Sequence, residues 1–249
     1  MKILVTGSGG MVGSLIKGDI KIGREFDLRD INQVDDMIRT NNPTHIINCA
    51  AKVGGIAGNL KNMAQYFYEN LTIGTNVIES ARRNNVQKVI NFSSTCVFPD
   101  GIDLPLTEDK IHLGPPHETN YGYAYAKRIV EIQINSYYQE YGIKNFSIIP
   151  CNIYGLNDNF NPDHSHVIPS LIHKVYLAKK NSTNLNVWGS GKALREFIFA
   201  KDIADITNRL LLIYDDYKPI IVSPSIETSV EELVFTICDL FKFKGKRLL

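Results

Sequence analysis

The chain has no surplus of either charge: 27 lysines and arginines stand against 26 aspartates and glutamates, a formal charge of +1 over 249 residues. No global field therefore draws it to nucleic acid or to an anionic membrane, and an anionic ligand must be met locally. Cysteine is scarce and scattered. Cys49, Cys96, Cys151 and Cys238 show no C-x-x-C spacing, which argues against a bound metal and a disulfide framework and fits a reducing cytoplasm. Long apolar runs are missing too. The opening "MKILVTGSGG" reaches its glycines too soon for a signal sequence or a membrane span and reads as a strand. There is no internal repeat and no low-complexity tract.

What the chain does have is alternation. Apolar strand-like runs ("KILVTG", "DIKIG", "THIINCAA", "KVINFSS", "NFSIIPCNIYG" and, late, "PIIVSP") are separated by helical stretches: "VDDMIRTN", residues 62–84, residues 124–141 and "SHVIPSLIHKVYLAKK". This pattern predicts an α/β fold, a doubly wound parallel sheet of Rossmann type. Only "MVGSLIK" separates the first glycines from the second strand, so the first crossover helix is expected to be unusually short. After Ile153 the chain turns polar and irregular through "GLNDNFNPDHSH". Residues 1–153 are thus expected to form the nucleotide-binding sheet, completed by part of the later chain, and residues 154–249 mainly a smaller substrate lobe.

"VTGSGGMVGS" places Gly7, Gly10 and Gly13 directly after the first strand. Glycine there permits a tight turn and lets backbone approach a pyrophosphate, so a dinucleotide is expected in preference to a purely structural turn. An acidic residue ending the second strand would suit a free ribose hydroxyl; here Gly23 and Arg24 stand instead, and a guanidinium suits a 2′-phosphate. NADP(H) is therefore expected over NAD, although Glu25 beside it keeps a plain surface role for Arg24 open. Asp27 and Leu28, ending the next strand-like piece, fall where an adenine is held.

At the other end of the ligand, "NFSSTCVF" supplies hydroxyls at a strand's C-terminal edge, and "YGYAYAKR" sets Lys127 one helical turn beyond Tyr123. An ammonium beside a phenol favours its ionised form and equips it for proton transfer. Tyr121 and Tyr125 point elsewhere and are expected to pack.

Glycine fingerprint, strand-end serine and Tyr-x-x-x-Lys in this order resemble the short-chain dehydrogenase/reductase superfamily, in its extended, nucleotide-sugar-modifying branch. Within that branch "AAKVGGI", "SSTCVFPD", "YAYAK", "NIYGLNDNFNPDHSHVIPSL" and "VWGSGKALREF" resemble the GDP-L-fucose synthase family over nearly the whole chain. Those enzymes are NADPH-dependent 3,5-epimerases and 4-reductases of GDP-4-keto-6-deoxy-D-mannose. The resemblance implies that Cys96 and His166 invert C3 and C5 as base and acid, with His166 rather than neighbouring His164 matching the motif. It implies that Tyr123 protonates the C4 oxygen, Ser94 polarises the carbonyl, and Lys127 holds the nicotinamide ribose and lowers the tyrosine pKa. Cofactor contacts are implied for Gly7, Ser8, Gly10, Met11, Val12, Gly13, Arg24, Asp27, Leu28, Ala50, Ala51, Phe92, Ser93, Lys127, Pro150, Asn152, Ile153 and His166. Asn152, Lys174, Trp188 and Arg195 are implied to meet the GDP-sugar, Lys174 standing where arginine is common.

Relatives of this kind continue beyond "FKFKGKRLL" through more of the substrate lobe, so the expectation is either a truncated chain or an incomplete sugar pocket. Three alternatives stay open: a 4-reductase without epimerase activity, acting on a GDP-4-keto-6-deoxy sugar such as a heptose; an NAD-retaining 4-epimerase, disfavoured by the missing acidic residue; and a non-catalytic NADP-sensing or scaffold protein. Outward positions on the Tyr123 helix, Ile132 and Tyr137, suggest a homodimer.

Overall fold

The apolar runs become strands. In the computed structural model, which describes residues 1–161 and 165–248, five of them are β1 (Ile3–Thr6), β2 (Ile20–Ile22), β3 (His45–Asn48), β4 (Lys88–Phe92) and β5 (Phe146–Pro150). After three further strands comes β9 (Ile220–Val222). These six pair in the order β2-β1-β3-β4-β5-β9, every pair parallel. The direction of winding reverses between β1 and β3, which opens a crevice at their C-terminal ends, the place where ligands of such sheets lie.

Successive residues on each strand feed opposite faces. Leu4, Ile46 and Val89 pack with Val34, Met37, Val77, Ile78, Val130 and Ile134, which come from α1 (Ile31–Asn41), α3 (Met63–Arg83) and α4 (Tyr121–Tyr141). Val5, Ile47 and Ile90 pack on the other side with Ile203, Ala204 and Leu211 of α6 (Ala200–Ile213). A short α2 (Ile56–Lys61) precedes α3. A third apolar cluster joins Leu171 and Val175 to Val234 and Ile237, uniting α5 (Val167–Lys180) with α7 (Val230–Leu240). Beside it lie a three-stranded sheet of β6 (Asn152–Tyr154), β8 (Leu194–Phe199) and β10 (Glu227–Ser229) and a parallel pair of β7 (Leu185–Asn186) and β11 (Arg247–Leu248). Among the described residues no helix is long and apolar enough to cross a membrane.

Several expectations need correction. The first crossover is not a helix: residues 10–16 form turns with only two bonds of helical span, Ser14 N–H to the Gly10 carbonyl and Ile16 N–H to that of Val12. The reason is local, because Asp19 N–H already bonds the Ile3 carbonyl at 2.9 Å and leaves no chain for a second turn. The piece ending in Asp27 and Leu28 is not a strand either; the leucine is core, and the aspartate is clamped by Arg29 at 2.8 and 2.7 Å. Tyr137 does not face outward. Its hydroxyl donates to Glu79 Oε2 at 2.7 Å, whereas Ile132 is exposed. The sequence also did not predict α6, α7, β8 or β10, although "TSVEEL" carried a signal for α7: Ser229 and Glu232 form a reciprocal capping box.

Candidate active site

The glycine turn is built by close approach. Gly7 has φ +64°, and a Cβ there would lie 2.7 Å from the Ala50 nitrogen; a Cβ at Gly13 would lie 2.3 Å from the Gly7 carbonyl oxygen. No side chain fits either place. Gly10 N–H bonds the Gly7 carbonyl at 2.9 Å and Ser8 N–H that of Ile22 at 3.0 Å. With no regular helix after Gly10, the carbonyls that end the turn would be left unpaired, and Lys21 Nζ takes two of them, those of Gly13 at 3.0 Å and Ile16. Beyond β2, the Glu25 carboxylate accepts from the Gly23 N–H at 2.8 and 2.9 Å. Both acidic groups of this loop are therefore engaged, while exposed Arg24 is in no ion pair among the described residues.

The reacting groups come from β4 and α4. Ser94 caps a turn of 3₁₀ helix that holds Cys96, with the Cys96 N–H 3.3 Å from Ser94 Oγ. Tyr123 stands in the first turn of α4, beside Ser94 and Cys96. Lys127, one turn on and 4 % exposed, donates from Nζ to the Phe92 carbonyl at 2.7 Å and lies 5.8 Å from the centre of the Tyr123 ring. Burial lowers this lysine to about 8, against the pull of Cys49, and Cys49 is itself pushed up to about 12 by burial. Tyr123 departs from expectation. Burial, then the Cys96 charge, raise it above its ordinary value, and the nearby Ser94 hydroxyl only partly offsets them. Burial likewise raises the Cys96 thiol, with Ser94 opposing. In the protein alone, burial disfavours the ionised form of both Tyr123 and Cys96.

The remaining predicted residues lie on other elements. His166 is the N-cap residue of α5, exposed and making no capping bond; His164 lies outside the described residues. Asn152 on β6 donates from Nδ2 to the Glu196 carbonyl at 2.9 Å, which leaves its oxygen free to accept. Lys174 Nζ rests 4.4 Å from the centre of the Trp188 ring, an indole that is 86 % exposed. Arg195, exposed on β8, donates from its guanidinium to the Leu194 carbonyl. Ser94, Cys96, Tyr123 and Lys127 thus form one cluster, and Lys174 with Trp188 a second.

A model of the NAD dependent epimerase/dehydratase family matches residues 16–222. The chain belongs to that family. Within it, the chain sorts with GDP-L-fucose synthases: it is 40 % identical to the GDP-L-fucose synthase of Dictyostelium discoideum over 98 % of its own length and 81 % of that protein's. It is 38 % identical to the GDP-L-colitose synthase of Yersinia pseudotuberculosis over 82 % and 70 %. The crystal structure of a GDP-L-fucose synthetase from Naegleria fowleri bound to NADP matches with a TM-score of 0.89 at 36 % identity, over 99 % of this chain and 79 % of that one.

Membership of the epimerase/dehydratase family implies a nicotinamide cofactor, and the residues fit one. Gly7 and Gly13 press backbone against backbone, while a Cβ at Gly9 would meet nothing within 4 Å, so the outer side of the turn is open to a phosphate. Sequence reasoning missed what lies beneath. Thr6 Oγ1 donates to Asn48 Oδ1 at 2.7 Å, and Asn48 Nδ2 to Asn91 Oδ1 at 3.0 Å, all buried. Register sets these three side by side on β1, β3 and β4. This polar ladder ties together the strand ends that carry Gly7, Ala50 and Ser93. Its trace in the sequence is one polar residue at the end of each apolar run, "LVT", "IIN" and "VIN".

Proposed function

We propose that this chain is an NADPH-dependent epimerase and reductase that converts GDP-4-keto-6-deoxy-D-mannose to GDP-L-fucose. The observation that carries the reading is the gathering of Ser94, Cys96 and Tyr123 in one cluster with Lys127 a turn away. A 4-ketone acidifies the hydrogens at C3 and C5, so one base and one acid suffice to invert both centres. Cys96 and His166 take those roles, the thiolate being the base form of Cys96. When bound, NADPH supplies the hydride for C4. Ser94 donates a hydrogen bond to the C4 oxygen, and Tyr123, kept protonated by burial, gives that oxygen its proton.

Choice of NADP over NAD is supported by Arg24 and by the NADP-bound relative. Cofactor contacts follow the glycine turn, the ends of β3 and β4, and Pro150 to Ile153. The GDP-sugar is read as lying among Asn152, Lys174, Trp188 and Arg195 in a lobe built mainly by residues 154–249. A homodimer through the face of α4 bearing Ile132 and a cytoplasmic setting complete the reading, the latter supported by four free cysteines. One observation favours a second reading, a 4-reductase that does not epimerise: burial holds Cys96 away from its thiolate form.

The Tyr123→Phe variant tests the reading. NADPH oxidation with the keto-sugar is expected to fall by about two orders of magnitude or more, while exchange at C3 and C5 persists. NADPH-dependent turnover equal to wild type refutes it.

A further inference from the structure

Asn120 immediately precedes α4 and occupies its N-cap position, where asparagine ordinarily accepts a hydrogen bond from the helix's first amides. It makes no such bond. Its Oδ1 instead accepts from Asn59 Nδ2 of α2 at 2.7 Å. Asn59 is only 7 % exposed, and its own Oδ1 is buried with no partner. Two stabilising arrangements are thus forgone at one point: a capped helix and a satisfied buried amide. Buried polar groups are usually paired, so an amide that forgoes a partner asks for an explanation.

The consequence of the contact is directional. With its oxygen engaged by Asn59, Asn120 has its amide NH₂ as the group left to offer. Asn120, at the N-cap of α4, is three residues before Tyr123, a spacing that puts neighbours on one side of a helix, and helical side chains lean toward the N-terminus, so the two are placed to meet one ligand. We propose that Asn120 donates a hydrogen bond to a ring hydroxyl or carbonyl oxygen of the sugar beside Tyr123, and that Asn59 is a positioning residue that fixes the Asn120 amide for this contact. The proposal rests on Tyr123 being at the reacting carbon.

The test uses Asn59→Leu, which keeps the branched shape, removes the donor to Asn120 and removes the orphan acceptor. Turnover of GDP-4-keto-6-deoxy-D-mannose, NADPH affinity, GDP-L-fucose affinity of the NADP-loaded protein by calorimetry, and Tm are measured for wild type, Asn59→Leu, Asn120→Leu and the double variant. The expected result for Asn59→Leu is a loss of about tenfold in kcat/KM and in GDP-L-fucose affinity, the value of one hydrogen bond. NADPH affinity is unchanged, Tm is equal or higher, and the double variant is no worse than Asn120→Leu alone. Unchanged sugar affinity, additive losses, or a fall in Tm that accounts for the loss overturns the proposal. A wild type that binds GDP-L-fucose without turning over the keto-sugar refutes the proposed function but leaves the affinity arm to decide on Asn59. A wild type that binds no GDP-sugar overturns both.

Discussion

Lys127 is a charge placed where the fold would rather have none, and its replacement should make the protein more stable. The lysine falls from its ordinary 10.5 to about 8 because burial disfavours the ammonium. At about 1.4 kcal/mol for each tenfold change in the proton equilibrium, keeping it charged at pH 7 costs about 3 kcal/mol. Lys127→Met removes that cost but also the bond from the charged ammonium to the Phe92 carbonyl, worth about 2 kcal/mol. The net expectation is a gain of about 1 kcal/mol at pH 7, or about 2–4 °C in Tm for a chain of this size. The sign follows from linkage. Between pH 8 and 10.5 the unfolded lysine binds more protons than the folded one, so wild-type stability rises with pH, and the advantage of methionine vanishes near pH 10.5. Thermal unfolding of both proteins at pH 7 and pH 10.5, without cofactor, checks this, alongside loss of keto-sugar reduction by the variant. A variant less stable than wild type at pH 7, or a difference that is the same at both pH values, refutes the reasoning.

Glu131, two turns beyond Tyr123, behaves in the opposite sense. Burial raises it to about 7, with the nearby Ser147 hydroxyl opposing, so its folded form favours the neutral acid and stability is lost as pH climbs from 4.5 through 7. Glu131→Gln is expected to gain about 2–3 kcal/mol at pH 8.5 and almost nothing at pH 4.5, as read by urea unfolding at the two pH values. Arg24→Glu is expected to weaken NADPH at least tenfold while leaving NADH within a few-fold, because one charge-assisted contact to the 2′-phosphate is replaced by repulsion; fluorescence titration with both cofactors measures it.

The parts of the fold fixed by short-range chemistry were legible from the residues. The spacing of Gly7, Gly10 and Gly13 announced a turn no side chain fits, and the four-residue gap between Tyr123 and Lys127 put them on one helical face. What escaped the sequence was set by packing between distant segments. The lysine beside Tyr123 suggested a depressed phenol, yet the ammonium engages the Phe92 carbonyl and burial dominates the tyrosine. Tyr137 looked outward by spacing and is drawn inward by Glu79, 58 residues away. The ladder of Thr6, Asn48 and Asn91 exists only once strand register aligns three separate runs. β8 was hidden because charged Arg195 and Glu196 interrupt its apolar pattern, and β10 because its three residues are mostly polar.

The central claim is that one chain both exchanges protons at C3 and C5 and reduces C4. The most direct measurement incubates it with GDP-4-keto-6-deoxy-D-mannose in D₂O, follows deuterium at both carbons by NMR, and then adds NADPH. The account predicts wash-in at C3 and C5, followed by reduction at C4 to GDP-L-fucose. Reduction with no deuterium at either carbon, before or during turnover, contradicts it and leaves a 4-reductase in its place.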